Sequence, residues 1–474
     1  MTATRHALSR LDGLVADGFP AAVEALARLV AIPGLAWPGA DPAALERSAE
    51  LTAELLRSAG FRDVAVDRAP RPDGAPGAPA VLARRPAAPG FPTVLLYAHH
   101  DVQPSGDPGA WASPPFRATE RNGRLYGRGV ADDKAGIILH AAACRALLDL
   151  TGPAAGLGIT VLVEGEEEIG SPSLPALLDR HTDLEAADVA IVADSGNWRV
   201  GVPALTTSLR GLVDGTIELR ALEHGLHSGT YGGPVLDALT LMGRLVATFH
   251  DEAGNLTVAG LEHGDEPAVD LDEDMFRADA GLPDGVRLAG GGSLTGRLWS
   301  RPALALTGMD VPAVDAAANT LLPSVRVKFS LRIPPGTEPD DAMAAMQRHV
   351  ARHAPFGAET VFTPGTGSRP FAVDPADPAV EAAVEAMRSA WGVEPVLMGV
   401  GGSIPAASLL AGRNPALSVL ITGAEDPDTR AHGADESLDL TDLRQGILAE
   451  AALLARLSGL LGKEPAPAPA SMHP

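Results

Sequence analysis

Residues 93–136 read TVLLYAHHDVQPSGDPGAWASPPFRATERNGRLYGRGVADDKAG, and the reading of the whole chain turns on them. The stretch opens with an apolar, β-branched run, 93–98, the pattern of a buried strand. Where the run stops, His99, His100 and Asp101 follow at once. His99 and Asp101 are two apart, so in an extended chain both side chains leave the same face. That suits a histidine that holds a metal through one ring nitrogen while a carboxylate fixes the other. Further on, the glycine-rich turn GRGVADDKAG presents Asp132 and Asp133 next to Lys134. Taken singly, a His-x-Asp at a strand end is more often a cap, and an acidic pair after a glycine turn is usually solvated. The other strands decide between these readings.

Three more apolar runs end in the same way. Residues 158–163, GITVLV, lead into EGEEEIGS with Glu166, Glu167 and Glu168. Residues 187–193, ADVAIVA, lead into Asp194-Ser195-Gly196. Residues 416–421, ALSVLI, lead into TGAEDPDTRAHGADES and so to His432. Four apolar strands without alternation, separated by helical patterns such as 136–150, predict a parallel α/β sheet covered on both faces. In such sheets sites form at the carboxyl ends of the strands. Histidine and carboxylate donors without cysteine suit Zn²⁺, Mn²⁺ or Co²⁺ and disfavour Fe–S or structural zinc. Two histidines with three or more carboxylates are enough to hold two ions, about 3.5–4 Å apart and bridged by one carboxylate.

Composition narrows the function classes. A chain of 474 residues is too long for one core and predicts two domains. A net charge of −23 argues against nucleic acid or anionic membrane as partner. No stretch approaches the roughly 20 apolar residues of a membrane span. The N-terminal pattern is an amphipathic helix and not a signal peptide. The single cysteine, Cys144, lies in an apolar helical pattern and reads as a buried, inert thiol; together these features predict the cytoplasm.

Beyond residue 202 the pattern changes. TSLRGLVDGTIELRAL and PSVRVKFSLRIPP alternate apolar and polar residues, as half-exposed antiparallel strands do. The predicted organisation is a catalytic domain over 1–202 and 367–462, a smaller α+β domain inserted over 203–366, and a disordered Pro/Ala-rich tail over 463–474.

The motifs AHHDVQP, GRGVADDKAG, EGEEEIGS, VADSG, LHSGTYGG, GGSIP and the late AHG together resemble the M20 family of dinuclear zinc peptidases, nearest its carnosine-type cytosolic dipeptidase branch. The resemblance spans nearly the whole chain, with the motifs in order. It implies a zinc-peptidase-like catalytic domain with a mostly parallel sheet, plus a lid that also forms a homodimer. It implies two divalent ions, Zn²⁺ foremost, held by His99 and Asp194 on one side and by Glu168 and His432 on the other. Asp132 would bridge them, with a cis peptide bond after it, and Asp101 would orient His99. In the EEEIG run, Glu167 would be the general base and Glu166 an extra carboxylate. His227 of LHSGTYGG would reach the partner subunit's site and stabilise the oxyanion. Arg332 of SLRIPP would grip the substrate carboxylate, which suits a guanidinium fork. Asn319, Gly402 and Ser403 would line the substrate.

The expected activity is hydrolysis of dipeptides, with Glu167 taking the attacking water's proton and returning it to the leaving amine. An N-acyl- or N-carbamoyl-amino-acid amidohydrolase with the same metals is the alternative. A catalytically silent small-ligand binder is the alternative from another class; Glu167, Asp132 and His432 are all present against it. Two departures from the family pattern stand out. Gly399 and Val400 precede GGSIP where carnosine-type dipeptidases carry Arg-Glu, and Ala135 replaces a glycine usual after DDK. The first removes a carboxylate that could hold a substrate amino group.

Overall fold

A computed structural model describes residues 2–152, 156–261 and 263–461, with side chains from residue 4. The tail expected at 463–474 lies outside the described residues. The chain forms two compact units. One holds the residues up to Thr207, Val373–Leu397 and those from Pro405 on; the other holds Ser208–Ala372 and Met398–Ile404. These boundaries differ from the expected 203 and 366. A strand, Ala204–Leu209, runs straight through the first of them, and Leu209 lies opposite Phe371 in an antiparallel pair at the return. Residues 398–404, expected in the second part of the catalytic domain, join the second unit instead. Arg210 ties them there: its backbone N–H donates to Val400 O at 3.2 Å and its Nε to Gly401 O at 3.2 Å.

In the first unit the sheet order runs Asp63–Asp67, Ala80–Arg85, Gly158–Glu164, Thr93–His99, Val189–Val192, Ser418–Ile421, then Ala204–Leu209. The four apolar runs are thus neighbours, and all their pairings are parallel. The flanking strands are antiparallel, so the sheet is mixed around a parallel centre. Both faces of the central strands are covered: Leu95 and Tyr97 on one, Leu96 and Ala98 on the other, are all 0% exposed. That is why these runs show no alternation. Leu96 and Ala98 pack in one core with Leu26, Leu56, Ile138, Ala383 and Leu454 from five helices. The N-terminal amphipathic pattern runs on as one helix, Thr2–Val30, with Pro20 inside it. The next, Pro42–Ser58, is capped by Asp41, which accepts the Ala43 N–H at 3.0 Å, while Pro42 needs no donor at that position. Cys144 is buried.

The second unit is a four-stranded antiparallel sheet, ordered Ala303–Asp310, Ser324–Ile333, Gly211–Arg220, Glu359–Ser368. Burial alternates along its two central strands, as the sequence predicts. The inward face, with Val213, Ile217, Val327 and Phe329, packs on Leu241 and Met346 of helices Ala238–Val246 and Pro339–His353. Each such side chain contributes about 1.5–3 kcal/mol, and a one-residue slip would turn the whole set to water, so the register is fixed by this face.

Candidate active site

The four parallel strands end at one edge, and the turns beyond them bring five of the predicted residues together. His99 is the last residue of its strand and lies opposite Glu164 in the register. Its Nε2 is 3.1 Å from Asp132 Oδ1 and 3.8 Å from Asp194 Oδ1. His432 Nε2 is 3.0 Å from the other oxygen, Asp132 Oδ2, and 3.3 Å from Glu168 Oε2. Two donor groups result, His99–Asp132–Asp194 and Asp132–Glu168–His432, each with its ligand atoms within 4.8 Å of one another. Asp132 belongs to both, one oxygen turned to each histidine.

Neighbouring groups hold these side chains in place. His99 Nδ1 faces Asp101, 3.2 Å from its backbone oxygen and 3.3 Å from its carboxylate, which leaves Nε2 free of the ring proton. The Asp101 carboxylate also accepts the backbone N–H of Glu167 and of Glu168, each at 3.2 Å, so it fixes the glutamate turn as well. Asp133 accepts the His99 N–H at 3.1 Å and caps the helix Lys134–Thr151 through Gly136 N–H at 3.1 Å. The Asp132–Asp133 peptide bond is cis. Buried Lys134 donates to Leu29 O and Ile32 O at 2.8 and 2.7 Å, tying this loop to the end of the first helix.

The three consecutive glutamates have three fates. Glu166 turns away: its carboxylate takes Arg71 at 2.8 Å, Ala78 N–H at 3.1 Å and Ser173 N–H at 2.8 Å. Glu168 faces His432 and accepts Gln103 Nε2 at 2.7 Å. Glu167 makes no side-chain hydrogen bond among the described residues. Burial, with the charges of Glu164, Asp101 and Asp132, pushes its carboxyl up to about 8 against the opposing pull of His99.

The donor set fits divalent cations. Glu168 Oε1 is buried with no hydrogen-bond partner among the described residues. Burial, then the charge of Glu167, holds the Asp194 carboxyl well above the ordinary range. Burial also opposes ionisation of Asp132, but hydrogen bonds with His432 and His99 outweigh it and keep this carboxyl well below that range. Carboxylates packed this closely, away from water, need positive charge among them.

Two residues of the centre escaped the sequence. Glu436 is 0% exposed, and its carboxylate accepts the N–H groups of Gly129, Ala131 and Asp132 at 2.9, 3.0 and 3.2 Å as well as Arg128 Nη1 at 2.6 Å. It therefore clamps the loop carrying Asp132. Its only signal was an acid shortly after His432. Gln103, inside AHHDVQP, is the other.

The remaining predicted residues lie in the second unit. Nδ1 of exposed His227 accepts the Gly229 N–H at 3.1 Å, so the proton of the neutral ring sits on Nε2. Ser228 N–H donates to Asn319 O at 3.0 Å, which joins the His227 turn to Asn319. Arg332 Nη1 reaches Ser403 Oγ at 3.4 Å, in the loop that also holds Gly402. Arg210, also unforeseen, lies beside Arg332; burial, then the charge of Arg332, lowers its guanidinium to about 10.

Residues 95–456 match the peptidase family M20/M25/M40. The chain is 36% identical to a cysteinylglycine-S-conjugate dipeptidase of Corynebacterium striatum, over 77% of this chain and 80% of the relative. It is 28% identical to a β-Ala-His dipeptidase of Rattus norvegicus over 88% of each chain. The solved structure of a dipeptidase from Saccharomyces cerevisiae superposes with a TM-score of 0.76 at 23% identity, covering 96% of this chain and 99% of that one. The chain therefore belongs to the M20/M25/M40 peptidase family and is a hydrolase of the metallopeptidase class.

Proposed function

We propose that the protein hydrolyses the amide bond of dipeptides at a centre of two divalent ions, Zn²⁺ or, with the same donors, Mn²⁺ or Co²⁺. The observation that carries this reading is the division of Asp132 between His99 and His432. His99 and Asp194 would hold one ion, Glu168 and His432 the other, and Asp132 both. The ions supply Lewis acidity towards the scissile carbonyl and lower the pKa of the attacking water. The chain's own groups do the rest. Asp101 keeps the His99 proton on Nδ1. Glu167, near the donor groups yet outside both, takes the water's proton and passes it to the leaving amine; its raised proton affinity suits both transfers.

His227 presents an exposed Nε2–H, a donor for the charge that develops on the carbonyl oxygen, and by its resemblance to the family it would serve the partner subunit. Arg332 would bind the substrate carboxylate beside Ser403, with Asn319 and Gly402 lining the same substrate. A homodimer through the second unit is supported by its edge strand, Ala303–Asp310, where Leu306 and Met309 are exposed, followed by Val311 and, at 92%, Val314. Sedimentation across a dilution series should show activity falling as the dimer dissociates; a fully active monomer would contradict this. Buried, single Cys144 fits the reducing cytoplasm. Among the described residues, no helix is long and apolar enough to cross a membrane.

Hydrolysis of Ala-Ala and N-acetyl-Ala by metal-reconstituted protein, with a chelated control, tests the activity. Chelator-sensitive cleavage of Ala-Ala is expected. Preference for N-acetyl-Ala would instead favour the amidohydrolase reading, which the absence of a carboxylate at Gly399 and Val400 keeps in view.

A further inference from the structure

The carboxylates around the centre can be accounted for one by one, and one is left over. Asp101 holds the glutamate turn, Asp133 caps a helix, Glu166 binds Arg71, and Glu436 clamps the Asp132 loop. Glu164 accepts Ser171 Oγ at 2.8 Å, and Asp426 pairs with Arg124 at 2.9 Å. Asp132, Glu168 and Asp194 form the donor groups, and Glu167, itself without a side-chain hydrogen bond among the described residues, is the proposed general base. Glu425 has no such duty. Its carboxylate makes no hydrogen bond or ion pair among the described residues, and it lies in neither donor group.

Its backbone is nonetheless fixed to the site. Glu425 forms a parallel bridge with Gly196, two residues beyond Asp194, and Asn197 N–H donates to Glu425 O at 2.7 Å. The two segments run so close there that a Cβ on Gly196 would stand 3.1 Å from Glu425 Cβ. The half-buried Glu425 carboxylate lies within the electrostatic reach of Asp132, Glu436, His432 and Asp426. Three of these four are acids. A half-buried carboxyl with no ion-pair partner of its own among the described residues is open to a cation that arrives with the ligand.

Building on the dipeptidase reading, we infer that Glu425 receives the α-ammonium group of the substrate and makes the enzyme selective for a free amino terminus. In a dipeptide that ammonium is one carbon from the scissile carbonyl, so a carboxylate beside the donor groups is where it can be paired. The segment 398–404, MGVGGSI, offers no carboxylate of its own for the task. A charge-paired hydrogen bond of this kind is worth roughly one to two orders of magnitude in binding.

The test compares Ala-Ala with N-propionyl-Ala, which lacks only the amino group, on the metal-loaded wild type and on Glu425→Gln. Wild type should favour Ala-Ala. In Glu425→Gln the ratio of kcat/KM for Ala-Ala over propionyl-Ala should fall about 10- to 100-fold, through KM for Ala-Ala, with bound metal per chain and Tm unchanged. An unchanged ratio, or loss of metal from the variant, would overturn the inference while leaving dipeptidase activity in place. A wild type that ignores Ala-Ala yet cleaves N-acetyl-Ala would overturn the dipeptidase reading, and this inference with it.

Discussion

The donor residues of the first unit and the candidate substrate residues of the second are built in opposite ways. Asp132, His99 and Glu168 are each fixed by a further group: Glu436 on the Asp132 backbone, Asp101 on the His99 ring, Gln103 on the Glu168 carboxylate. By contrast His227 is exposed, and the Arg332 guanidinium makes, among the described residues, one long hydrogen bond, 3.4 Å to Ser403. A metal centre tolerates little positional error, and a further group on each of these three donors limits it; groups that meet a ligand only when it arrives are left with free donors. The two regions should therefore fail differently when altered.

Glu167 gives the largest separation between chemistry and metal binding. Glu167→Gln should lower kcat by about 10²- to 10⁴-fold with metal content intact. If this variant lost metal and Glu168→Gln kept it, the roles of the two glutamates would be exchanged. Next comes the clamp. Glu436→Gln keeps the shape but weakens three backbone hydrogen bonds and the Arg128 pair, so metal affinity should fall about 10- to 100-fold, read by competition with a chelating dye. Equal affinity would mean that the Asp132 loop holds itself. Smallest is Arg332→Lys, which keeps the charge but not the fork. KM for a dipeptide should rise about 10-fold with metal affinity unchanged. A change in metal affinity there would erase the contrast between the units.

Much of this was legible in the sequence because it depends on period and on strand ends. The runs at 93–98, 158–163, 187–193 and 416–421 are uniformly apolar since both faces of the sheet are covered, and the polar residues at the end of each run fall at one edge. The alternation of 211–220 and 324–333 was equally plain. Glu166, Glu167 and Glu168 were harder to tell apart from composition. They enter a 3₁₀ turn, Glu167–Ile169, in which successive side chains point about a third of a turn apart, so identical residues meet Arg71, the donor groups and His432 in turn. Glu436 was invisible because three of its partners are backbone N–H groups more than 300 positions away, which carry no residue signature. The boundary between the units carries no mark for a related reason. Strands Ala204–Leu209 and Gly211–Arg220 succeed one another without a turn signal between them, so no break in composition marks Ser208.

The central claim is that Asp132 is shared by two ions. Anomalous diffraction from crystals of the zinc-reconstituted protein tests it most directly. Two peaks per chain are predicted, one beside His99 and Asp194, the other beside Glu168 and His432, with an Asp132 oxygen bound to each. A single peak at full zinc occupancy, or two peaks with Asp132 bound to only one, would contradict the account.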